Sequence, residues 1–589
     1  MPEPLEVTQQ AGCQADNFTN SGLPAGVAPS ASSGYYEYAR QEILALIPET
    51  ASRILDVGCG AGGLGSLIKA RQSAEVHGVE IVPPAAAIAE TRLDRVWRGT
   101  IEGALPDLPN AYYDYIVVAD VLEHLVDPWT VLDALRLKLS PQGRILASIP
   151  NIQNWGVLSA LIEGAWDYRS DGLLDRTHLR FFTRKTVEEL CWGAGLRIVR
   201  FDTTIRGPAL PHRLLVTLRK SGLHTSPMQA DGRTWQFLVV AEPPKPIAPR
   251  VTIVILNWNG YTDTIECVAS VLRMAYQNFD IVVVDNGSTD ESVANIRAHF
   301  PQLRILETGR NLGYAGGNNV GIDWALRHGA DYVMVLNNDT TVDANCLTHL
   351  IEMANVSQAG LLGPATYFHE NQNMLWAIGA QMALEPRLTY KILGERDGLA
   401  AWPKPLILDA LVGSCMLIQR DVLEKIGSFS KEFFLCWEEF DLCARANAAG
   451  FKCVYVPNAA IWHKVGSTLG TAKSPLRIYF NVRNRLLWAK RNLPFRSRLA
   501  LHYESLVMLR QLLWDSFHYP TGKITLKQIA WSLHTWIRSV THPETLAALY
   551  GLRDYYFGLL NDCPARIRKL AGKNEKRTRL APVLPEGEV

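Results

Sequence analysis

Two groups of residues in this chain have the types and spacing to hold nucleotide-like ligands. The first is Asp56-Val57-Gly58-Cys59-Gly60-Ala61-Gly62-Gly63, followed about 20 residues on by Glu80. Glycines at alternating positions let a loop close on a ligand and open a helix behind it. An acid at that distance suits ribose hydroxyls. The loop alone fits a dinucleotide, S-adenosylmethionine or a tight structural turn. The second group is Asp285, in Asp285-Asn286-Gly287-Ser288-Thr289-Asp290, with Asp339, in Asn337-Asn338-Asp339. Two carboxylates brought to one end of a sheet make a hard-oxygen site for Mg2+ or Mn2+ shared with a diphosphate. Taken singly, such residues are as often turn formers or helix caps. A third stretch, Leu173–Thr183, mixes charge, aromatics and His178. That imidazole is a candidate to take a proton from an acceptor hydroxyl, or it bonds a neighbouring loop. His124 reads as part of a helix start.

Each loop needs a strand to position it. Arg53-Ile54-Leu55, Ile281–Val284 and Tyr332–Leu336 precede the three acidic loops directly, and open α/β sheets bind ligands at such strand ends. Strand-like runs at Ile54–Val57, Glu75–Glu80, Tyr115–Ala119, Arg144–Ile149, Arg197–Thr203 and Trp235–Ala241 alternate with helical patterns, predicting a parallel-rich α/β sheet. Pro243–Pro249 is a stiff linker. A second series follows at Val251–Asn257, Asp280–Asp285, Leu303–Glu307 and Tyr332–Asn337. After about Ser474 the pattern turns helical and basic. The expected organisation is a disordered leader (1–33), an α/β unit (34–242), the linker (243–249), a second α/β unit (250–490) and a basic helical C-terminal region (491–589).

A chain of 589 residues is too long for a single core. No run approaches the ~18 apolar residues of a membrane span, and the first residues lack the basic and apolar parts of a signal peptide. The ten cysteines have no paired, zinc-like spacing. Buried reduced thiols and a cytoplasmic location are expected. The net charge of +1 hides an asymmetry, because Ala472–Val589 carries 20 Lys and Arg against 8 Asp and Glu. Apolar stripes at Leu499–Trp514 and Ile529–Ile537, with Trp514, Trp531 and Trp536, lie in that region. They fit either helical core or peripheral contact with the inner face of the cell membrane. No nucleic-acid motif accompanies the charge, so nucleic acid is not an expected partner.

The Asp-x-Gly-x-Gly-x-Gly loop, with its acid before the first Gly, and the segment Tyr112–Leu125 ending Asp120-Val121-Leu122-Glu123-His124-Leu125 resemble the class I S-adenosylmethionine-dependent methyltransferases. The resemblance covers about residues 34–242 and implies a Rossmann-like fold with S-adenosyl-L-methionine as cofactor. It implies Asp56, Gly58, Gly60 and Gly62 near the methionine part, Glu80 on the ribose, Thr100–Glu102 with Glu102 near the adenine, and Asp120 lining the donor site.

Four segments resemble the GT-A fold glycosyltransferases of family 2, in their rhamnosyltransferase-like branch. They are Asn257–Gly260, Val284–Asp290, Gly309–Asn319 and Asn337-Asn338-Asp339. The likeness continues through Gly413–Met416, Phe433–Arg445 and Ile461–Lys464, and Tyr479–Arg485 resembles the segment that closes the family's catalytic domain. It implies a nucleotide-sugar donor held by Asn257, Asn259, Asp285, Asn311, Asn318 and Asn338. Asn337 stands where the family's metal motif has its first acid, which puts the weight on Asp339, with His463 completing the metal or diphosphate site. An inverting transfer needs a carboxylate base. Glu439 stands where the family usually has Asp and is the expected base, with Glu438 and Asp441 as neighbours or orienters.

The fold class expected is therefore α/β: a methyltransferase unit, a GT-A unit and C-terminal helices. The function expected is bifunctional. It joins inverting glycosyl transfer to a glycan or lipid-linked glycan of a surface polysaccharide (O-antigen-like or capsule) with methylation of a sugar hydroxyl. A methyltransferase-like docking unit without catalysis, a glycan-binding central unit and a lipid or quinone methyl acceptor remain open alternatives.

Overall fold

A computed structural model describes residues 40–207, 210–220, 226–383, 389–465, 474–511 and 526–578. The leader expected at 1–33, and Trp514, lie outside these residues.

The first sheet contains β1 (Arg53–Val57), β2 (Glu75–Glu80), β3 (Arg95–Arg98), β4 (Tyr113–Ala119), β5 (Leu139–Pro150), β6 (Arg197–Ile205) and β7 (Thr234–Glu242). Their order is β3-β2-β1-β4-β5-β7-β6. β1 to β5 run parallel, and β7 pairs antiparallel with both β5 and β6. Val117 and Val118 are fully buried, as expected for a strand with helices on both faces. The chain winds outward from β1 through β2 to β3, then returns to β4 on the other side. The loops after β1 and β4 therefore border one crevice.

The second sheet contains β8 (Val251–Asn257), β9 (Phe279–Asp285), β10 (Arg304–Glu307), β11 (Tyr332–Asn337), β12 (Thr340–Val342), β13 (Leu361–Phe368), β14 (Leu375–Ala377), β17 (Leu406–Leu408), β18 (Cys415–Gln419) and β19 (Cys453–His463); β15 (Gly379–Ala383) and β16 (Thr389–Leu393) form a separate hairpin. The main path is β10-β9-β8-β11-β18-β13-β19-β12. β8, β9, β10 and β11 are parallel, again with a reversal between β8 and β11. β12 lies antiparallel to β19 with Thr340 opposite His463. That register carries the end of β19 back to the loop after β11.

The two units touch through the helix Arg184–Gly193. Trp192, 3% exposed, packs into the core of the second unit. Ile407 N–H donates to Glu189 Oε1 (2.9 Å), Lys185 Nζ donates to the Ile407 carbonyl (2.9 Å), and Lys452 pairs with Glu188 (2.8 Å). At the other end, the helix Pro475–Asn492 packs against Pro543–Tyr556. Tyr479 donates to buried Asp554 Oδ2 (2.7 Å) beside the fully buried Arg483. Helices beyond residue 490 thus share a core with the second unit. The described cysteines are free thiols, all buried except the intermediate Cys436. No described helix is long and apolar enough to cross a membrane.

Candidate active sites

The turn after β1 needs glycine. Gly58, Gly60 and Gly62 have φ of 72°, 53° and 77°, and a Cβ on Gly58 would sit 2.8 Å from Val121 Cγ2. Glu80, at the end of β2, reaches into this turn. Its Oε2 accepts the Gly60 N–H (2.7 Å) and its Oε1 the Val82 N–H (2.8 Å), which leaves lone pairs for a ligand. Asp56 is buried beneath. Burial raises its pKa to about 7, Arg40 works against the rise and Glu80 adds to it. Thr100 caps the helix Ile101–Ala104 by accepting the Gly103 N–H (3.2 Å), and Glu102 is exposed in its first turn.

Asp120 follows β4 with φ of 55°, a conformation Asp tolerates better than most residues. It accepts from Arg40, from Ser148 Oγ (3.1 Å) and from Gln236 Nε2 (2.6 Å). Beyond it opens a cavity of about 470 Å3 lined by Asp120, Glu123, His124, Asp175, His178 and Gln236, among others. His178 Nδ1 lies 3.3 Å from the Leu173 carbonyl and His124 Nδ1 lies 3.2 Å from the Thr177 carbonyl. A carbonyl only accepts, so each Nδ1 carries a proton, and in the neutral ring that leaves the lone pair on Nε2. Burial, then His124, push the His178 pKa down. Arg40, Ser148, Gln236 and Glu123 were not among the expected site residues. Glu123 belongs to the quoted Leu-Glu-His-Leu segment, but no local pattern marks the other three.

In the second unit, Asn257 ends β8. Its Nδ2 donates to Asp285 Oδ1 (2.9 Å) and Ser288 Oγ (3.1 Å). Asn259 Oδ1 accepts the Thr289 N–H (2.8 Å). A Cβ on Gly287 would lie 2.5 Å from the Arg310 backbone, so the 285–290 loop sits directly on the 309–313 loop. Asn286 Oδ1 accepts the Leu312 N–H (2.9 Å) and Asn311 Oδ1 the Gly313 N–H (2.8 Å). Asn318 Nδ2 donates to the Tyr314 carbonyl (3.0 Å). Asn338 turns back to Thr264 Oγ1 (3.0 Å) and the Gly260 carbonyl (3.3 Å), tying the loop after β11 to the one after β8.

The β12–β19 register sets Asp339 Oδ1 3.2 Å from His463 Nε2. Two adjacent ligands of an octahedral ion at about 2.1 Å stand about 3 Å apart, so the pair fits a small divalent cation. Glu438 and Glu439 open the helix Glu438–Ala448 after a strained turn. Phe434, Cys436 and Trp437 all have positive φ (60°, 67° and 73°), a costly run for non-glycine residues. Asn484 holds that turn by donating to the carbonyls of Phe433, Leu435 and Cys436, each at 2.8 Å, and Arg483 Nη2 adds a bond to the Phe433 carbonyl (2.8 Å). This is the physical role of the Tyr479–Arg485 segment.

The two glutamates hydrogen-bond each other. Burial raises both, Glu439 to about 7 and Glu438 well above the carboxyl range. Glu438 therefore keeps its proton and donates it to Glu439. Gly413 lies against Glu439, and the Tyr314 hydroxyl donates to the Gly413 carbonyl (2.6 Å). Burial, followed by Glu438, Glu439 and then Asp339 among others, raises the Tyr314 pKa well above its usual value, which places this phenol near both the carboxyl pair and the cation pair. Asp441 turns elsewhere. It accepts from Arg445 Nε (2.8 Å), and Arg445 in turn holds the carbonyls of Ile426 (2.7 Å) and Ser428 (2.9 Å). It positions a loop and is not a partner in the carboxyl pair. Asn318 Oδ1, Asn337 Oδ1, Ser414 Oγ and His463 Nδ1 are buried with no hydrogen-bond partner among the described residues. Buried polar atoms are normally paired, so this concentration suits a polar ligand.

Comparison with known proteins matches residues 252–427 to the family described as Glycosyl transferase family 2, and residues 33–200 to one described as Methyltransferase domain. The chain is 27% identical over 227 residues to the N-acetylglucosaminyl-diphospho-decaprenol L-rhamnosyltransferase of Mycobacterium tuberculosis, covering 34% of this chain and 72% of that protein. It is 21% identical over 272 residues to the dTDP-rhamnosyl transferase RfbF of Shigella flexneri, covering 45% and 85%. Among solved structures, a SAM dependent methyltransferase from Archaeoglobus fulgidus aligns at 18% identity and a TM-score of 0.26, over 36% of this chain and 96% of that one.

Proposed function

Because the chain carries a methyltransferase domain and a family 2 glycosyltransferase domain of GT-A type, it is a transferase, and we propose that it is a bifunctional enzyme of surface-polysaccharide assembly. The central domain moves a sugar from a nucleotide-sugar to a glycan or lipid-linked glycan, with inversion. Asp285, set by Asn257 and Ser288, holds the nucleotide, with Asn259, Asn311, Asn318 and Asn338 shaping the loops around it. Asp339 and His463 would hold Mg2+ or Mn2+, which when bound neutralises the diphosphate. Glu439 takes the proton of the attacking acceptor hydroxyl. Glu438, holding its own proton, favours the ionised form of Glu439 through their hydrogen bond. The names of the two relatives favour a deoxyhexose donor of the rhamnose kind.

The N-terminal domain binds S-adenosylmethionine on the Gly58–Gly62 turn, with Glu80 on the ribose, Glu102 towards the adenine, and Arg40 and Asp120 at the methionine end. A sugar hydroxyl of the same glycan enters the cavity beside Glu123, His124 and His178. Methyl transfer draws mainly on alignment of the sulfonium with that hydroxyl. The helix Phe495–Arg510 exposes Phe495, Leu499, Tyr503 and Leu506 at near-fourfold spacing within the basic C-terminal region. This supports peripheral contact with the inner membrane face, where a lipid-linked acceptor would lie.

The observation that carries the reading is the group of unpartnered buried polar atoms around Asp339 and Glu439. Its test is calorimetric titration of the full chain with S-adenosylmethionine, beside nucleotide-sugar hydrolysis with Mn2+ by the parent and Asp339→Ala. Saturable cofactor binding, and hydrolysis lost in the variant, are expected. No cofactor binding, or hydrolysis unchanged by Asp339→Ala, overturns the reading.

A further inference from the structure

The cavity of the N-terminal domain contains a set of donors that cofactor binding leaves unexplained. Glu123 sits in the short 3-10 turn Leu122–His124 after β4 and is 1% exposed. Neither of its carboxyl oxygens has a hydrogen-bond partner among the described residues. A buried carboxyl left so is costly unless something absent from the protein itself meets it. The backbone brings two imidazoles to it. His124 is its neighbour in the turn, and the Glu123 carbonyl accepts the N–H groups of Leu179 (2.8 Å) and Arg180 (3.0 Å), which draws His178 alongside. The two rings meet edge to face with centroids 4.8 Å apart. One donor atom from each of Glu123, His124 and His178 lies within 4.8 Å of the others.

The geometry points to a divalent transition-metal site formed by Glu123, His124 and His178, open on its cavity side to oxygens of the methyl acceptor. Two features beyond the clustering favour a metal. Both Nδ1 atoms face backbone carbonyls, Thr177 and Leu173. This is the outer hydrogen bond that orients a metal-bound imidazole and frees its Nε2. Two imidazoles and a carboxylate also form a donor set suited to Zn2+, Fe2+, Mn2+ or Co2+, more than to Ca2+ or Mg2+ in all-oxygen cages. Ligands about 2.1 Å from one tetrahedral ion stand about 3.4 Å apart, so closing the set on an ion draws donor atoms together by up to about 1.4 Å, within reach of side-chain rotation. The remaining positions face the 470 Å3 cavity, with room for two neighbouring hydroxyls of a sugar. In this arrangement His178 is a ligand in place of the base expected from the sequence. The role given to the metal, holding the acceptor, rests on the methyltransferase reading; the site itself does not.

The test uses the full-length chain carrying Asp339→Asn, which removes the candidate cation site of the central domain, stripped with a chelator. Titration with Co2+ is followed by its visible d–d absorption. One equivalent is expected to bind, and Glu123→Gln and His178→Asn are each expected to weaken binding about 100-fold or more. Thermal melting and S-adenosylmethionine titration without metal check that both variants fold. Absence of Co2+ uptake, or uptake unchanged in two folded variants, overturns the site. Failure of the metal-free chain to bind S-adenosylmethionine counts against the methyltransferase reading and leaves the Co2+ result standing on its own.

Discussion

Sugar transfer should switch on as Glu439 ionises. Burial lifts the Glu439 carboxyl to about 7, while Glu438, raised well above the carboxyl range, stays protonated and donates to it. Only the ionised form accepts a proton, so the active fraction is about 10% at pH 6 and about 90% at pH 8, roughly a tenfold rise in kcat. Glu439→Gln removes the base and should lower kcat by about 10²–10⁴-fold. Glu438→Gln keeps an N–H donor towards Glu439 and should leave the midpoint near 7. Glu438→Leu removes that donor and should move the midpoint upward. The assay is initial nucleotide release at saturating donor and fixed Mn2+, from pH 5.5 to 9. A flat profile between pH 6 and 8, or a Glu439→Gln rate within tenfold of the parent, would refute the assignment.

Three further outcomes follow from the packing around the sites. Asn484→Ala takes the side-chain donor from the Leu435 and Cys436 carbonyls of the strained 433–437 turn, and leaves the Phe433 carbonyl with Arg483; it should cost about 2–4 kcal/mol in denaturant unfolding and lower kcat for sugar transfer with little change in donor KM. Gly58→Ala adds a Cβ 2.8 Å from Val121 at a φ of 72°; calorimetry should find S-adenosylmethionine binding at least about tenfold weaker, with sugar transfer retained. Burial holds the pKa of Asp56 at about 7 in the fold against its ordinary value of 3.8, so the ligand-free fold binds the extra proton between those values. Its stabilising contribution is complete below about pH 4 and is lost as pH rises through 7, up to about 4 kcal/mol. Asp56→Asn should flatten the fall in melting temperature between about pH 4 and 7, and an unchanged slope would remove Asp56 as its source.

Much of both sites was legible because strand-end loops are local. The Gly58–Gly62 turn, the Asp285 loop and the Asn337–Asp339 loop each announce themselves beside the strand that carries them. The Asp339–His463 contact depends on the β12–β19 register, and only the order of motifs suggested it. Three features had no local signal. Arg40 lies just before a helix and meets Asp120 only in the folded crevice. Tyr314 was visible as a motif residue, but its bond to the Gly413 carbonyl needs β18 to lie beside β11. The tie from Asp554 through Tyr479 to Arg483 joins a C-terminal helix to the turn that holds Glu439, whereas composition suggested a separate basic region. Asp441 reads as a third acid of one cluster, yet helix geometry aims it at Arg445 four residues on.

The central claim is that one chain performs two transfers on one glycan. The most direct measurement incubates the purified full-length chain with a panel of nucleotide-sugars, Mn2+, S-adenosylmethionine and a glycan acceptor, and weighs the product. The expected product gains one hexose or deoxyhexose and a further ~14 mass units, the net methylene of one methylation. At limiting S-adenosylmethionine the methylene should fall in Gly58→Ala, and the sugar should vanish in Asp339→Ala. A product that gains sugar but never the ~14 units, under conditions where the chain binds S-adenosylmethionine, would contradict the account.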